Sequence, residues 1–149
     1  MGSEHSLWLV TRDKLRQFGV LHRDENRLEE GTPDVAYSLR FPPGPSGRVG
    51  TGWLELKYAP AWPVNLDVPL ILPHNLTDDQ CIWAEGWCAA GGQYGLLVQV
   101  GRDYFLFGAE RLRAVQVGMT LAEYVRTASA SGTGSFPRLE ILKNLCGWT

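Results

Sequence analysis

Apolar and polar positions along the chain change period several times, and each change marks an element. From Glu4 to Gln17 the apolar residues Leu7, Trp8, Val10 and Leu15 fall at helical spacing, with Phe18 just beyond and Gly19 as a stop. Val20–Arg23 reads as a short strand. Two further β-like runs, Val35–Leu39 and Trp53–Tyr58, flank the Pro/Gly-rich stretch from Phe41 to Gly52 and are expected as neighbouring strands. Thr77-Asp78-Asp79-Gln80 is a capping box that opens a helix to about Ala90, with Ile82, Trp83, Gly86, Trp87 and Ala90 as its expected buried stripe. Tyr94–Val100 and Tyr104–Phe107, joined by Gly101-Arg102-Asp103, predict a β-hairpin. A helical turn at Ala109–Leu112 follows, then a helix from Thr120 to about Ala128. Ser129–Ser135 has the composition of a flexible linker, and a last helix runs from Ser135–Pro137 to about Cys146 with Leu139, Leu142 and Leu145 along it. The fold class is therefore α/β, a central mixed sheet of about five strands flanked by helices, with helical C-terminal additions.

One segment follows no period. Residues 59–73, APAWPVNLDVPLILP, are apolar and rich in proline, and they leave the Trp53–Tyr58 strand directly, so they are expected to line whatever that strand carries. Trp62 and Leu70–Leu72 within it could pack on the core, wedge at a ligand or meet a second subunit.

The length of 149 residues and 44% hydrophobic content fit one domain with a real core. No apolar run is long enough for a membrane span, and the N-terminus lacks the basic and apolar regions of a signal peptide. Three cysteines, Cys81, Cys88 and Cys146, leave one over in any disulfide scheme, which favours reduced thiols and a cytoplasmic location. The net charge of −2 is low for a protein that grips phosphates. However, Arg12, Lys14, Arg16, His22, Arg23, Arg27, Arg40 and Arg48 all fall in the first third. None of the cysteines is spaced as a zinc knuckle, His5, His22 and His74 are too scattered to suggest a zinc site or a nucleophile triad, and no Walker-type glycine loop is present.

The chemistry lies in the paired runs. Asp34 stands just before the first, after a proline that belongs at a strand start. Alternation along the second puts Trp53, Glu55 and Lys57 on one face and Leu54, Leu56 and Tyr58 on the other, without saying which face is inward. Two carboxylates with an ammonium beside them make a hard-cation site suited to metal-assisted phosphodiester hydrolysis. An exposed i, i+2 ion pair on a charged sheet face accounts for Glu55 and Lys57 as well.

Pro33-Asp34 followed by Glu55-Leu56-Lys57 resembles the PD-(D/E)xK nuclease signature. The fuller string GTPDV…GWLELK…WP…T-x-x-Q-x-x-W resembles the small virus-type and phage-type members of that superfamily, relatives of Holliday-junction resolvases, over residues 25–100. The resemblance implies a restriction-endonuclease-like core and a DNA endonuclease, phage-related and dependent on Mg²⁺ or Mn²⁺. Asp34 and Glu55 would bind the metal with the backbone carbonyl of Leu56, and Lys57 would position or deprotonate the attacking water. An upstream acid would complete the site: Glu25 first, with Glu29 and Glu30 as alternatives. Gln80 would orient water or phosphate, beside its own explanation as a capping residue. By the same resemblance the partner is branched DNA and the protein a homodimer, with Trp62, Leu70–Leu72 and the Leu139/Leu142/Leu145 stripe as apolar interface material. A non-catalytic DNA-binding or assembly protein that keeps the fold is the alternative.

Overall fold

The structure is a computed structural model that describes residues 2–24 and 29–148. Six strands form a single mixed sheet in sequence order: β1 (Gly19–Arg23), β2 (Val35–Phe41), β3 (Arg48–Ala59), β4 (Gln93–Val100), β5 (Asp103–Phe107) and β6 (Ala130–Thr133). Neighbours are antiparallel except β3 and β4, which run parallel. A parallel pair needs a crossover. Residues 60–92 supply it, with α2 (Asp78–Ala89) as its helix.

Helices cover the two faces unequally. On one face α1 (Glu4–Leu15) and α5 (Arg138–Leu145) bury Leu7, Leu15, Ile141 and Leu142 against Val35, Leu39, Leu54 and Leu56. On the other, α2, α3 (Leu112–Val117) and α4 (Leu121–Thr127) close over Leu96, Val98, Phe105 and Phe107. Tyr124 of α4 is the centre of an aromatic cluster there, edge-on to Trp62, Phe105 and Phe107 at 5.1–5.4 Å between ring centroids. The indole of Trp62 also donates to Asp103 Oδ2 at 2.7 Å. The proline-rich segment is thus held on the core, with Leu70 and Leu72 buried and only Ile71 of that run exposed. Of the terminal stripe, Leu142 and Leu145 are buried and Leu139 is exposed.

Three expectations need correcting. The sheet has a sixth strand, because residues 130–133 pair with β5 at its edge instead of forming a loose linker. The turn between β2 and β3 is shorter than expected, since β2 extends to Phe41 and β3 begins at Arg48. Trp148 fastens that hairpin, donating to the Phe41 carbonyl at 2.7 Å while the Arg48 guanidinium lies over its ring. The buried stripe of α2 is Gln80, Cys81 and Ala84, whereas Ile82, Gly86, Trp87 and Ala90 are exposed and Trp83 is half-buried. Small side chains at 81 and 84 let α2 approach the sheet closely.

Gly50 shows how tightly α5 sits on β3: a Cβ there would collide with the Leu145 carbonyl. Backbone cannot swing aside as a flexible side chain can, so Gly50→Ala is expected to lower stability by about 1–3 kcal/mol. The urea midpoint checks this. Among the described residues no helix is long and apolar enough to cross a membrane.

Candidate functional site

The β2–β3 register ends at Val35 opposite Leu54, which sets Asp34 just past the ladder, beside Glu55. There the Asp34 carboxylate takes over the role of a backbone partner: its Oδ2 accepts from the Leu56 N–H at 3.2 Å. In an extended strand the N–H and C=O of one residue face the same edge. The Leu56 carbonyl therefore opens on the Asp34 side, while its side chain lies in the core beneath α1.

Glu55 and Lys57 point to the opposite face, toward α2. Their exposures are 1% and 6%, and Nζ stands 3.8 Å from Oε1. Their neighbours on β4 are Leu96 and Val98, so the pair rests on an apolar floor. Gln80 approaches from above, its Nε2 donating to Glu55 Oε1 at 3.1 Å. The same side chain accepts from the Thr77 N–H through Oε1, and the Gln80 N–H bonds Thr77 Oγ1, completing the capping box. One residue thus serves as cap and as site member, using opposite ends of its amide. Gly31 helps bring the parts together. It adopts φ 86°, and a Cβ there would strike the Asp79 carbonyl at the start of α2. This contact lays the Gly31–Asp34 stretch against the helix that carries Gln80.

Sequence reasoning missed Glu4. Ser3 caps α1, accepting from the Ser6 N–H, and starts the helix over the end of β3. Burial raises the Glu4 carboxyl above its usual 4.5; the Lys57 ammonium pulls it down and the Asp34 charge pushes it up, with His74 and Arg23 adding smaller pulls downward. Glu4, Arg23, Tyr58 and His74 line an open cleft of about 500 Å³ at this end of the sheet. Only the fold brings the first turn of α1 here. A carboxylate with a raised folded pKa binds more protons folded than unfolded between the two pKa values, so stability falls as pH rises through that range. Glu4→Gln is expected to flatten the loss of stability from pH 4.5 upward, readable as thermal midpoints across an acid-to-neutral series.

Glu25 and Arg27 lie outside the described residues. Glu29 and Glu30 stand exposed in the turn before Thr32, which bonds back to the Glu29 carbonyl. Of the basic residues in the first third, Arg40 holds the carbonyls of Gly44, Pro45 and Gly47, and Arg48 holds that of Gly147. Arg23 bonds His5 at 3.0 Å on the cleft wall.

The arrangement sets hard oxygens from Asp34, Glu55 and the Leu56 carbonyl beside one ammonium and one amide. Among the described residues no group of three or more His, Cys, Asp or Glu gathers as a metal cage. Two carboxylates and a carbonyl suit a cation that keeps several waters, as Mg²⁺ does, and lack the nitrogen or sulfur ligands that favour zinc. Tyr94 adds a phenol that stays protonated, because burial and the Glu55 charge both push its pKa up. Comparison with protein-family models and with curated proteins returns no match to this chain.

Proposed function

We propose that this protein is a divalent-metal-dependent nuclease of the PD-(D/E)xK kind, hydrolysing phosphodiester bonds in DNA. One observation carries the reading. Among the described residues Glu55 and Lys57 are the only buried side chains of formal charge; Glu55 accepts from Gln80, and Asp34 accepts from the Leu56 N–H between the pair. Burying charge is costly, so a fold that keeps a pair here keeps it against the simpler option of apolar residues. Asp34, Glu55 and the Leu56 carbonyl would hold Mg²⁺ or Mn²⁺, with Glu4 near enough to add to the field. When bound, the ion supplies Lewis-acid polarisation of the phosphate. Lys57 offsets charge that builds on the phosphate and orients the attacking water, in a site whose apolar floor strengthens each interaction. Gln80 holds Glu55 in place by its amide N–H. The resolvase-like extension, a homodimer acting on branched DNA, belongs to the same proposal.

The enclosure of Glu55 and Lys57 favours a second reading, a non-catalytic DNA-binding protein that retains the pair as core. Metal linkage separates the two. At a Mn²⁺ concentration about 100 times its Kd, the wild type is expected to gain about 2.7 kcal/mol, or roughly 5–10 °C in Tm. Asp34→Ala is expected to lose most of that gain. An equal shift in both proteins would remove Asp34 from any metal site.

A further inference from the structure

On the side of the sheet that α2 covers, the cover stops at β3. Beyond it the side chains of Val20, His22, Ser38, Arg40, Val49 and Thr51 form a floor across β1, β2 and the start of β3 that no other described element covers. Val20 is 68% exposed and Val49 51%. The wall of this open face is aromatic. Gln80, Trp83 and Trp87 follow one line of α2, at i, i+3 and i+7. Trp83 meets Trp53 of β3 edge-on at 5.9 Å and stacks on Trp87 at 5.4 Å with ring planes 19° apart. The line starts at the glutamine that touches Glu55 and ends in a tryptophan open to solvent.

We infer that this face is a track for an unpaired nucleic-acid strand leading to the Glu55 site, an inference that rests on the nuclease reading for its destination. Charge selects the occupant. The chain is net acidic, with 16 Asp and Glu against 14 Lys and Arg, yet the floor carries no carboxylate among the described residues. It offers the Arg40 guanidinium, whose partners are neutral carbonyls, the His22 ring and the hydroxyls of Ser38 and Thr51, 3.0 Å apart. Phosphates fit such a surface, and the exposed Trp87 indole fits a base face, which a strand presents only when unstacked from a duplex. A second copy of the chain fits less well, because its floor would bring two valines to an interface that homodimers build mainly from apolar side chains.

The test is fluorescence anisotropy of a labelled oligothymidine of about 15 nucleotides, within the span one small domain covers. It is run without divalent metal, so binding is read apart from cleavage. Val49→Glu and Ser38→Glu, both at exposed positions, are each expected to weaken binding about tenfold, and Trp87→Ala by roughly 5- to 100-fold. A duplex of the same length is expected to bind more weakly than the single strand. Unchanged affinity in both glutamate variants overturns the track, even if the wild type cleaves DNA with metal. Binding that responds to the variants in a protein that cleaves nothing upholds the track and removes the nuclease reading. A wild-type particle of twice the chain mass that Val49→Glu halves would assign the face to a second copy, against the inference.

Discussion

Lys57→Met is expected to lower the unfolding free energy by about 3–5 kcal/mol. For a chain of this size that is roughly 6–20 °C in Tm. The reason is the position of its partner. Glu55 is 1% exposed and its Oε1 lies 3.8 Å from Nζ, so loss of the ammonium leaves a carboxylate enclosed among Leu96, Val98 and α2 with far less compensation. Gln80 can donate one amide hydrogen bond but cannot neutralise charge. Glu55→Gln is expected to destabilise by a comparable amount, by stranding the ammonium instead. The double variant Glu55→Gln, Lys57→Met removes both charges and is expected to lose less than the two single variants summed, with a coupling of about 1–3 kcal/mol between the sites. Urea unfolding of the four proteins closes the cycle. Additive losses would mean that the two side chains do not act as a pair.

Asp34→Asn separates chemistry from scaffold most cleanly. Asp34 is half-buried, and its structural duty is to accept the Leu56 N–H. An amide oxygen can do the same, so the fold is expected to lose no more than about 1 kcal/mol. A neutral amide is a poor ligand for a hard cation, and DNA cleavage is expected to fall at least about a hundredfold. The combination is the diagnostic: stability kept, turnover lost. A variant that cleaves at the wild-type rate would make Asp34 a strand cap and nothing more.

Local chemistry made much of this fold legible. Thr77 with Gln80 is a capping box in the structure as in the sequence, because the partners lie three residues apart; Thr120 starts its helix as expected, and the structure adds Glu123 as the partner of a second box. The β2–β3 pair was readable for the same reason, since its period of two and its Pro/Gly turn are written in one short stretch. What failed was long-range. Residues 130–133 are small and glycine-bearing, and they become a strand only because the edge of β5 is there to pair with. Along α2 the large apolar residues Ile82 and Trp87 suggested the buried side, but Cys81 and Ala84 occupy it, since close helix–sheet contact rewards small side chains. Alternation along β3 could not say which face was inward, and both are: Leu54 and Leu56 under α1 and α5, Glu55 and Lys57 under α2. Asp34, Glu55, Lys57 and Gln80 were legible as a spaced pattern; the structure joins Glu55 to Lys57 and Gln80 and ties Asp34 to the Leu56 N–H of the same strand. Glu4 was invisible as a site residue. Its place depends on where α1 begins over the sheet, and no local signal in the first turn of a helix reports that.

The most direct test of the central claim is cleavage of labelled DNA by the purified protein, on a panel of four-way, flapped, single-stranded and linear duplex substrates, with Mn²⁺ or Mg²⁺ and with chelator. Metal-dependent products are expected from the wild type, with preference for the branched substrates over linear duplex, and at least about a hundredfold less from Asp34→Asn prepared in parallel. Equal product from wild type and Asp34→Asn, or no product from the wild type on any substrate with either metal, would contradict it.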